Sequence, residues 1–128
     1  MDVARMLAEF HETFYGEPFG SGGDLGLRRK LHDEEGQELL DALDLGDDAA
    51  IAHELADVVY IAYGTAHTMG LPLDAVIAAV HRANMTKVGP DGALRFRADG
   101  KLLKPPDWRP ADVAAVLREH EGPGDDAT

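Results

Sequence analysis

The chain lacks cysteine, has no long apolar run and carries no excess of positive charge. Without cysteine it can form no disulfide, no thiolate metal site and no cysteine nucleophile. Its apolar runs stay far below the roughly 20 residues that cross a bilayer, and no basic-then-apolar leader opens the sequence. We therefore expect a cytoplasmic protein that does not enter membranes.

The net charge of the chain is strongly negative. Its 128 residues include 24 Asp and Glu against 12 Lys and Arg, which gives a formal net charge of -12. A surface of that sign repels nucleic acids and anionic lipids. A small anionic substrate is still compatible with this charge, provided that divalent cations neutralise the acids and a few local Lys or Arg meet the phosphates.

Helical periodicity dominates the sequence, and no strand pattern interrupts it. We predict four main helices, at about residues 3–14, 27–45, 49–69 and 73–88. Gly46 and Gly70 are suited to end the second and third helices, and Asp47 or Asp48 to cap the start of the third. The Gly-rich segment after the first helix predicts a mobile loop, a lid or a linker, because it lacks the Lys-Ser or Lys-Thr of a phosphate-binding loop.

The C-terminal part of the chain has a different composition. Three Gly and four Pro between residues 89 and 113 predict an irregular arm, with a small hairpin at 93–103. Pro110 precedes a short last helix, and residues 122–128 form a flexible acidic tail. The short links between helices favour an all-α bundle in one domain, residues 1–128, which can bury about two thirds of its unfolded surface.

Two pairs of acids interrupt the apolar stripes that the second and third helices would bury. At about 100° per residue, Glu35 and Glu38 fall on the inward stripe of the second helix. The apolar members of that stripe are Leu27, Leu31, Ala42 and Leu45. Glu54 and Asp57 lie likewise on the inward face of the third helix. Because Glu38 lies eight residues before Gly46 and Glu54 eight after it, an antiparallel hairpin brings both pairs to the same height.

Four converging carboxylates need neutralisation, since two like charges about 4 Å apart repel by about 4 kcal/mol at an effective dielectric near 20. Arg28, Arg29 and Lys30 lie mostly away from the inward stripe, and the third helix has no Lys or Arg, so we favour divalent cations. Oxygen-only ligands select Mg²⁺ or Mn²⁺ over zinc, and Mg²⁺ points to phosphoanhydride chemistry. Taken alone, either pair would more often be a solvated helix face.

The spacing of the two acidic pairs resembles the signature of the all-α nucleoside triphosphate pyrophosphohydrolases. The pairs are Glu35-x-x-Glu38 and Glu54-x-x-Asp57, with fifteen residues between them. This superfamily includes MazG, dimeric dUTPases and phosphoribosyl-ATP pyrophosphohydrolase. The blocks HELADVVYIAYG, VHRANMTKV and DGKLLKPPDWRPADV are similar to blocks of compact MazG-like proteins, including a branch that favours dUTP. The resemblance covers about residues 27 to 116.

This resemblance implies that Mg²⁺, or Mn²⁺ in its place, supports hydrolysis of a nucleoside triphosphate to the monophosphate and pyrophosphate. The implied metal ligands are Glu35, Glu38, Glu54 and Asp57. One glutamate would take the proton of the attacking water, with Glu35 as the first candidate and Glu34 as the second. The resemblance favours dUTP or related deoxynucleotides and a house-cleaning role in the nucleotide pool, with phosphoribosyl-ATP as an alternative substrate.

The resemblance also implies that Asn84 and Lys87 face the substrate. From the residues alone, an Asn bonded to nearby backbone and a Lys reaching into solvent are equally compatible with the pattern. Lys101, Lys104 and Arg97 of the arm are candidates for phosphate contacts, although surface charges that only hold the arm are the ordinary case.

Two further side chains and one helix suggest contacts of other kinds. Trp108 can stack on a base, but a single tryptophan in such an arm more often anchors it. His53 points about 100° away from Glu54 and is expected to cap the helix or contact a partner chain rather than bind metal. The third helix is apolar or aromatic on nearly all sides, which predicts a second buried surface and a homo-oligomer, most simply a dimer.

Two other functional classes compete with this hypothesis. A di-iron carboxylate bundle would need Glu-x-x-His pairs, which the inward pairs do not supply. A helical metal-binding or nucleotide-binding regulatory module without turnover would need the same residues as the enzyme, so only an assay of turnover separates the two.

Overall fold

The computed structural model describes residues 1–121, which form five α-helices. They are α1 (Val3–Tyr15), α2 (Leu25–Leu45), α3 (Asp48–Met69), α4 (Leu73–Asn84) and α5 (Val113–Glu121). Within the described residues, the only β pairing is an isolated bridge between Phe96 and Leu102, at the hairpin predicted for 93–103. The all-α prediction is confirmed, and the tail predicted at 122–128 lies outside the described residues. No helix among them is long and apolar enough to cross a membrane.

Local capping sets the ends of α2 and α3. Asp24 and Asp47 each accept a hydrogen bond, at 3.2 Å, from the backbone N–H three residues further on. Gly46 and Gly70 end the two helices in the left-handed conformation, with φ of 72° and 70°, which glycine adopts at little cost. Because these signals are local, the predicted bounds of both helices lie within two residues of the observed ones.

The fourth helix is shorter than the sequence predicts, because it ends at Asn84 and not at Val88. Thr86 and Lys87 then donate backbone N–H groups to carbonyls three residues back, at 3.1 and 3.2 Å, which is a tighter turn than that of an α-helix. Pro90 cannot donate the hydrogen bond that a longer helix would need. Lys87, predicted to lie within the fourth helix, therefore follows the end of α4.

The chain divides into two compact units, Met1–Leu73 and the residues from Asp74 onward. In the first unit, α2 and α3 are joined by Gly46 and Asp47 alone and pack against each other as an antiparallel hairpin, while α1 packs on α3. The buried apolar side chains of this unit are Leu7, Ala42 and Ala66.

The inward stripe of α2 differs from the predicted one. Leu27 and Leu45, both predicted to face inward, are exposed, whereas Arg28 is buried with 7% of its surface accessible. The guanidinium of Arg28 donates to the Thr65 hydroxyl at 2.9 Å and to the Ile61 carbonyl at 3.0 Å. The expectation that Arg28 lies mostly away from the inward face was wrong, because α3 offers hydrogen-bond acceptors at this level.

The Gly-rich segment between α1 and α2 is bonded to the C-terminal end of α3. Gly20 and Gly22 donate backbone N–H groups to the carbonyls of His67 and Thr68, at 2.8 and 2.6 Å. A Cβ at Gly23 would lie 2.9 Å from the Cβ of Thr68, so glycine permits this close approach. These bonds satisfy carbonyls that have no partner within the helix. The segment is thus docked on α3, in place of the mobile loop that the sequence predicts.

In the second unit, Trp108 attaches the irregular arm to α4. The indole Nε1 donates to the Ala83 carbonyl at 2.8 Å. The ammonium groups of Lys87 and Lys104 lie 5.1 and 5.5 Å from the centroid of the indole ring. A ring that is bonded through its nitrogen and contacted by two cations is held firmly. These contacts agree with the anchoring role that the sequence favours for Trp108.

Gly64 allows α1 and α2 to approach α3 closely. A Cβ at this position would lie 2.7 Å from Nη2 of Arg28 and 2.9 Å from Nε2 of His11. Both side chains are buried, and two hydrogen bonds fix the guanidinium, so neither can move aside freely. We predict that Gly64→Ala lowers the free energy of unfolding by about 1–3 kcal/mol, measured by denaturant unfolding.

The matched control for this prediction is Gly36→Ala. Gly36 also lies inside a helix, but no atom lies within 4 Å of the position that its Cβ would take. Because alanine favours a helix over glycine by about 1 kcal/mol, this variant should be at least as stable as the wild type. Equal stability of the two variants would contradict the packing role assigned to Gly64.

Candidate metal centre

Four carboxylates converge between α2 and α3. Each contributes one oxygen to a group whose members all lie within 4.8 Å of one another. The four acids are Glu35 and Glu38 on α2, and Glu54 and Asp57 on α3. Their convergence follows from the i, i+3 spacing on each helix and from the equal distance of both pairs from the tight connection at Gly46. The structure thus brings together the acids predicted from the sequence, and their role as metal ligands stays a prediction.

Two oxygens of this group are buried and have no hydrogen-bond partner, namely Oε2 of Glu35 and Oε2 of Glu54. Burying a carboxylate oxygen that loses its hydrogen bonds to water and gains no other donor costs free energy of folding. Among the described residues, no Lys or Arg forms an ion pair with any of the four acids. Protons or cations must therefore compensate the charge.

The pKa values of two of these acids are raised. Burial raises the pKa of Glu35 to about 6, together with a hydrogen bond to Glu38 and the negative charges of Glu38, Asp57 and Glu54. The pKa of Glu54 is raised first by burial and then by the charges of Glu38 and Asp57, while His53 opposes the shift. Both shifts are in the direction expected for crowded, partly desolvated acids, because burial and neighbouring negative charge disfavour the ionised form.

The donors present fit a hard divalent cation. The group of four contains oxygen donors only, which suit Mg²⁺ or Mn²⁺ and do not favour soft metals. The unpartnered Oε2 atoms of Glu35 and Glu54 are free to serve as ligand atoms. Glu38 and Asp57 complete the set from the same two helices, so the α2–α3 hairpin alone supplies every donor.

His53 lies closer to this group than the sequence suggested. Its Nε2 is 3.2 Å from Oδ2 of Asp57, and it forms a second group with Glu54 and Asp57 whose ligand atoms also lie within 4.8 Å of one another. We expected His53 on a different face because of its angle to Glu54. The informative spacing is instead the four residues to Asp57, which make the two side chains neighbours on the helix surface.

Glu34, the second candidate for the general base, is exposed and does not belong to the group of four. Adjacent residues of an α-helix point about 100° apart, so Glu34 and Glu35 cannot both face α3. Glu35, whose Oε2 is buried in the group, stays the first candidate for this role.

The residues predicted to bind substrate all lie in the second unit. Asn84 and Lys101 are exposed. Lys87 and Lys104 line a cavity of about 550 Å³. Neither of these two forms an ion pair with another described residue, whereas Arg97 donates to a neighbouring carboxylate at 2.9 Å.

The all-α fold matches that of the MazG-like nucleoside triphosphate pyrophosphohydrolase superfamily, and the chain belongs to this superfamily because a family model within it matches more than half of the residues. The family model of phosphoribosyl-ATP pyrophosphohydrolase matches residues 4–84, and the chain belongs to this family. Pyrophosphohydrolases of this kind cleave phosphoanhydride bonds of nucleotide-like substrates. A comparison with curated proteins found no match.

The matched segment includes α1 to α4 and all four carboxylates. It begins well before the predicted core of residues 27–116 and ends at Asn84, before Lys87 and the arm. The family match therefore concerns the helices that form the candidate metal centre, and the arm that carries the lysines lies outside it.

The raised pKa of Glu35 predicts the response of the metal-free protein to pH. A carboxyl whose folded-state pKa, about 6, exceeds its ordinary value of 4.5 contributes stability that is complete below pH 4.5 and is lost as the pH rises through about 6. A glutamine cannot ionise. In the presence of EDTA, the melting temperature of Glu35→Gln minus that of the wild type should therefore increase as the pH rises from about 4.5 to about 7. Thermal unfolding followed by circular dichroism measures this difference.

Glu34→Gln is the control, since it removes an exposed neighbouring carboxyl that lies outside the group. Its difference in melting temperature from the wild type should change little over the same pH range. A difference between Glu35→Gln and the wild type that is flat with pH would contradict the crowding of these acids.

Proposed function

We propose that this protein is a Mg²⁺-dependent pyrophosphohydrolase that converts a nucleotide to its monophosphate and pyrophosphate. The observation that carries the proposal is the set of four carboxylate oxygens within 4.8 Å, two of whose acids have a buried oxygen without a partner. Acids so close together are tolerated only when their charge is neutralised. A cation held by carboxylates is suited to bind substrate phosphates as well.

Within this centre, the two carboxylate pairs of α2 and α3 would hold the cation. When bound there, Mg²⁺ supplies positive charge that polarises a phosphoryl oxygen and makes a bound water more acidic. We assign Glu35 to accept the proton of the attacking water through the carboxylate oxygen that does not bind the cation, because this side chain belongs to the group of four. Glu34 is the second choice for this role.

We retain Asn84, Lys87, Lys101 and Lys104 as the residues that bind substrate. Lys87 and Lys104 are the better supported, because both line one cavity and neither is neutralised by an ion pair with a described residue. In a protein with a net charge of -12, ammonium groups of this kind are scarce, and they attract phosphates locally.

Two substrate classes follow from different observations. The MazG-like sequence blocks favour dUTP or related deoxynucleotides and a house-cleaning role in the nucleotide pool. The family match favours phosphoribosyl-ATP equally. Both substrates would release pyrophosphate at the same carboxylates, and they differ in the base and sugar that the protein must recognise.

The direct test is release of pyrophosphate from dUTP, the other deoxynucleoside triphosphates and phosphoribosyl-ATP, with Mg²⁺ and with EDTA. We expect Mg²⁺-dependent release from at least one of them, and the preferred substrate identifies the class. Glu38→Gln and Asp57→Asn preserve side-chain size but remove a ligand charge. Each should lower kcat/KM for that substrate by at least about 100-fold.

Asp44→Asn is the matched control for these variants, because Asp44 is an exposed acid of α2 outside the group of four. It should leave the rate unchanged. If the wild type releases no pyrophosphate from any nucleotide of the panel, a regulatory binding module becomes the favoured function. If Glu38→Gln and Asp57→Asn match the wild type, the carboxylate group is not the catalytic centre.

We further propose that the protein is a homo-oligomer, most simply a dimer. Leu55 and Val59, one turn apart on α3, form an exposed apolar face. The buried apolar side chains of the described residues are Leu7, Ala42, Ala66 and Ala79, which is a small core for a chain of this length. A second copy of the chain would cover the exposed apolar face.

Sedimentation analysis tests this proposal. The wild type should sediment as a dimer or a larger oligomer, because apolar side chains on α3 gain stability when a second copy covers them. Val59→Asp should shift the protein toward the monomer, since burying an unpaired carboxylate is costly. Val59→Ile keeps the face apolar and should stay oligomeric, and a monomeric wild type would refute the proposal.

A further inference from the structure

The outer edge of the carboxylate group includes an imidazole that the proposed reaction does not use. His53 is 72% exposed, and its Nε2 lies 3.2 Å from Oδ2 of Asp57. One explanation is an exposed ion pair, or a hydrogen bond from a neutral Nε2–H, between residues one helical turn apart, and such pairs stabilise a helix only slightly. A neutral imidazole in the same place can instead bind a metal ion through Nε2.

Two groups of possible ligand atoms overlap on α3. The first contains the four acids, and the second contains His53 with Glu54 and Asp57. Glu54 and Asp57 belong to both groups, and a carboxylate has two oxygens with which it can bridge two cations, as in two-metal hydrolase sites. The α2–α3 hairpin therefore has donors for two cation positions, an inner one with oxygen donors only and an outer one with one nitrogen donor.

The distance between the two outer donors fits a shared ion. Ligand atoms about 2.1–2.2 Å from one cation, in adjacent coordination positions, are about 3 Å apart. Nε2 of His53 and Oδ2 of Asp57 have nearly this separation. An imidazole nitrogen suits first-row transition ions, whereas Mg²⁺ prefers oxygen and retains its waters.

We propose that Nε2 of His53 is a metal ligand and that it makes the outer position selective for Mn²⁺ and similar ions over Mg²⁺. This inference rests on the proposed carboxylate centre and adds to it a second cation position with mixed nitrogen and oxygen donors. Glu54 and Asp57 connect the two positions, since each belongs to both groups of ligand atoms.

Pulsed electron paramagnetic resonance of the full-length protein loaded with Mn²⁺ tests the assignment, because a coordinated imidazole gives a ¹⁴N coupling. The wild type should show this coupling and His53→Gln should lack it. In a direct titration, His53→Gln should bind Mn²⁺ at least about tenfold more weakly at the outer position, and its affinity for Mg²⁺ should change by less than about twofold. His81→Gln, an exposed histidine of α4 outside both groups, should behave as the wild type.

The outcomes separate this inference from the function on which it rests. If Mn²⁺ binds the wild type without a ¹⁴N coupling, or if the coupling persists in His53→Gln, then His53 is not a ligand and the carboxylate centre is unaffected. If the wild type binds no Mn²⁺, or if Glu38→Gln and Asp57→Asn bind it as tightly as the wild type does, then the proposed centre itself fails. Circular dichroism of each variant verifies its fold, and the exposure of His53 makes its replacement compatible with folding.

Discussion

Repulsion among four carboxylates is the constraint on which this protein depends. The α2–α3 hairpin holds one oxygen of each acid within 4.8 Å of the others, and no Lys or Arg among the described residues pairs with them. Like charges held at such distances repel one another, and the repulsion is stronger where burial removes the screening by water. Protonation of these acids, or the cation binding proposed here, would relieve the repulsion, so cation binding at this site would also stabilise the fold.

Between α2 and α3, one set of polar side chains is hydrogen-bonded and another is not. Arg28 donates a hydrogen bond to the Thr65 hydroxyl. Because that hydroxyl gives its single proton to the Ile61 carbonyl, Nε2 of His32 must be the donor in its contact with the hydroxyl. At the level of the acids, Oε2 of Glu35 has no partner. A satisfied buried network holds the helices together, whereas an unsatisfied one is what a ligand-binding site leaves open.

The two units of the chain carry different parts of the chemistry proposed here. The segment matched by the family contains all four acids and ends at Asn84. The lysines of the arm follow it, and Trp108 attaches that arm to α4 by a hydrogen bond to Ala83. The family match thus supports the class of reaction, while three of the four side chains proposed to bind substrate, Lys87, Lys101 and Lys104, lie outside the matched segment.

The sequence by itself determined the helices and the convergence of the acids, because periodicity, the caps at Asp47 and Gly46 and equal spacing from that turn are local properties of the chain. The nearness of His53 to Asp57 was equally readable from their spacing. Only the tertiary structure decided that Arg28 is buried, that Leu45 is exposed and that the Gly-rich segment docks on α3. Whether a side chain is buried depends on the residues of the facing helix. On α3, Gly64 leaves room for the guanidinium of Arg28 and Thr65 accepts its hydrogen bond, whereas a larger side chain at position 64 would exclude it.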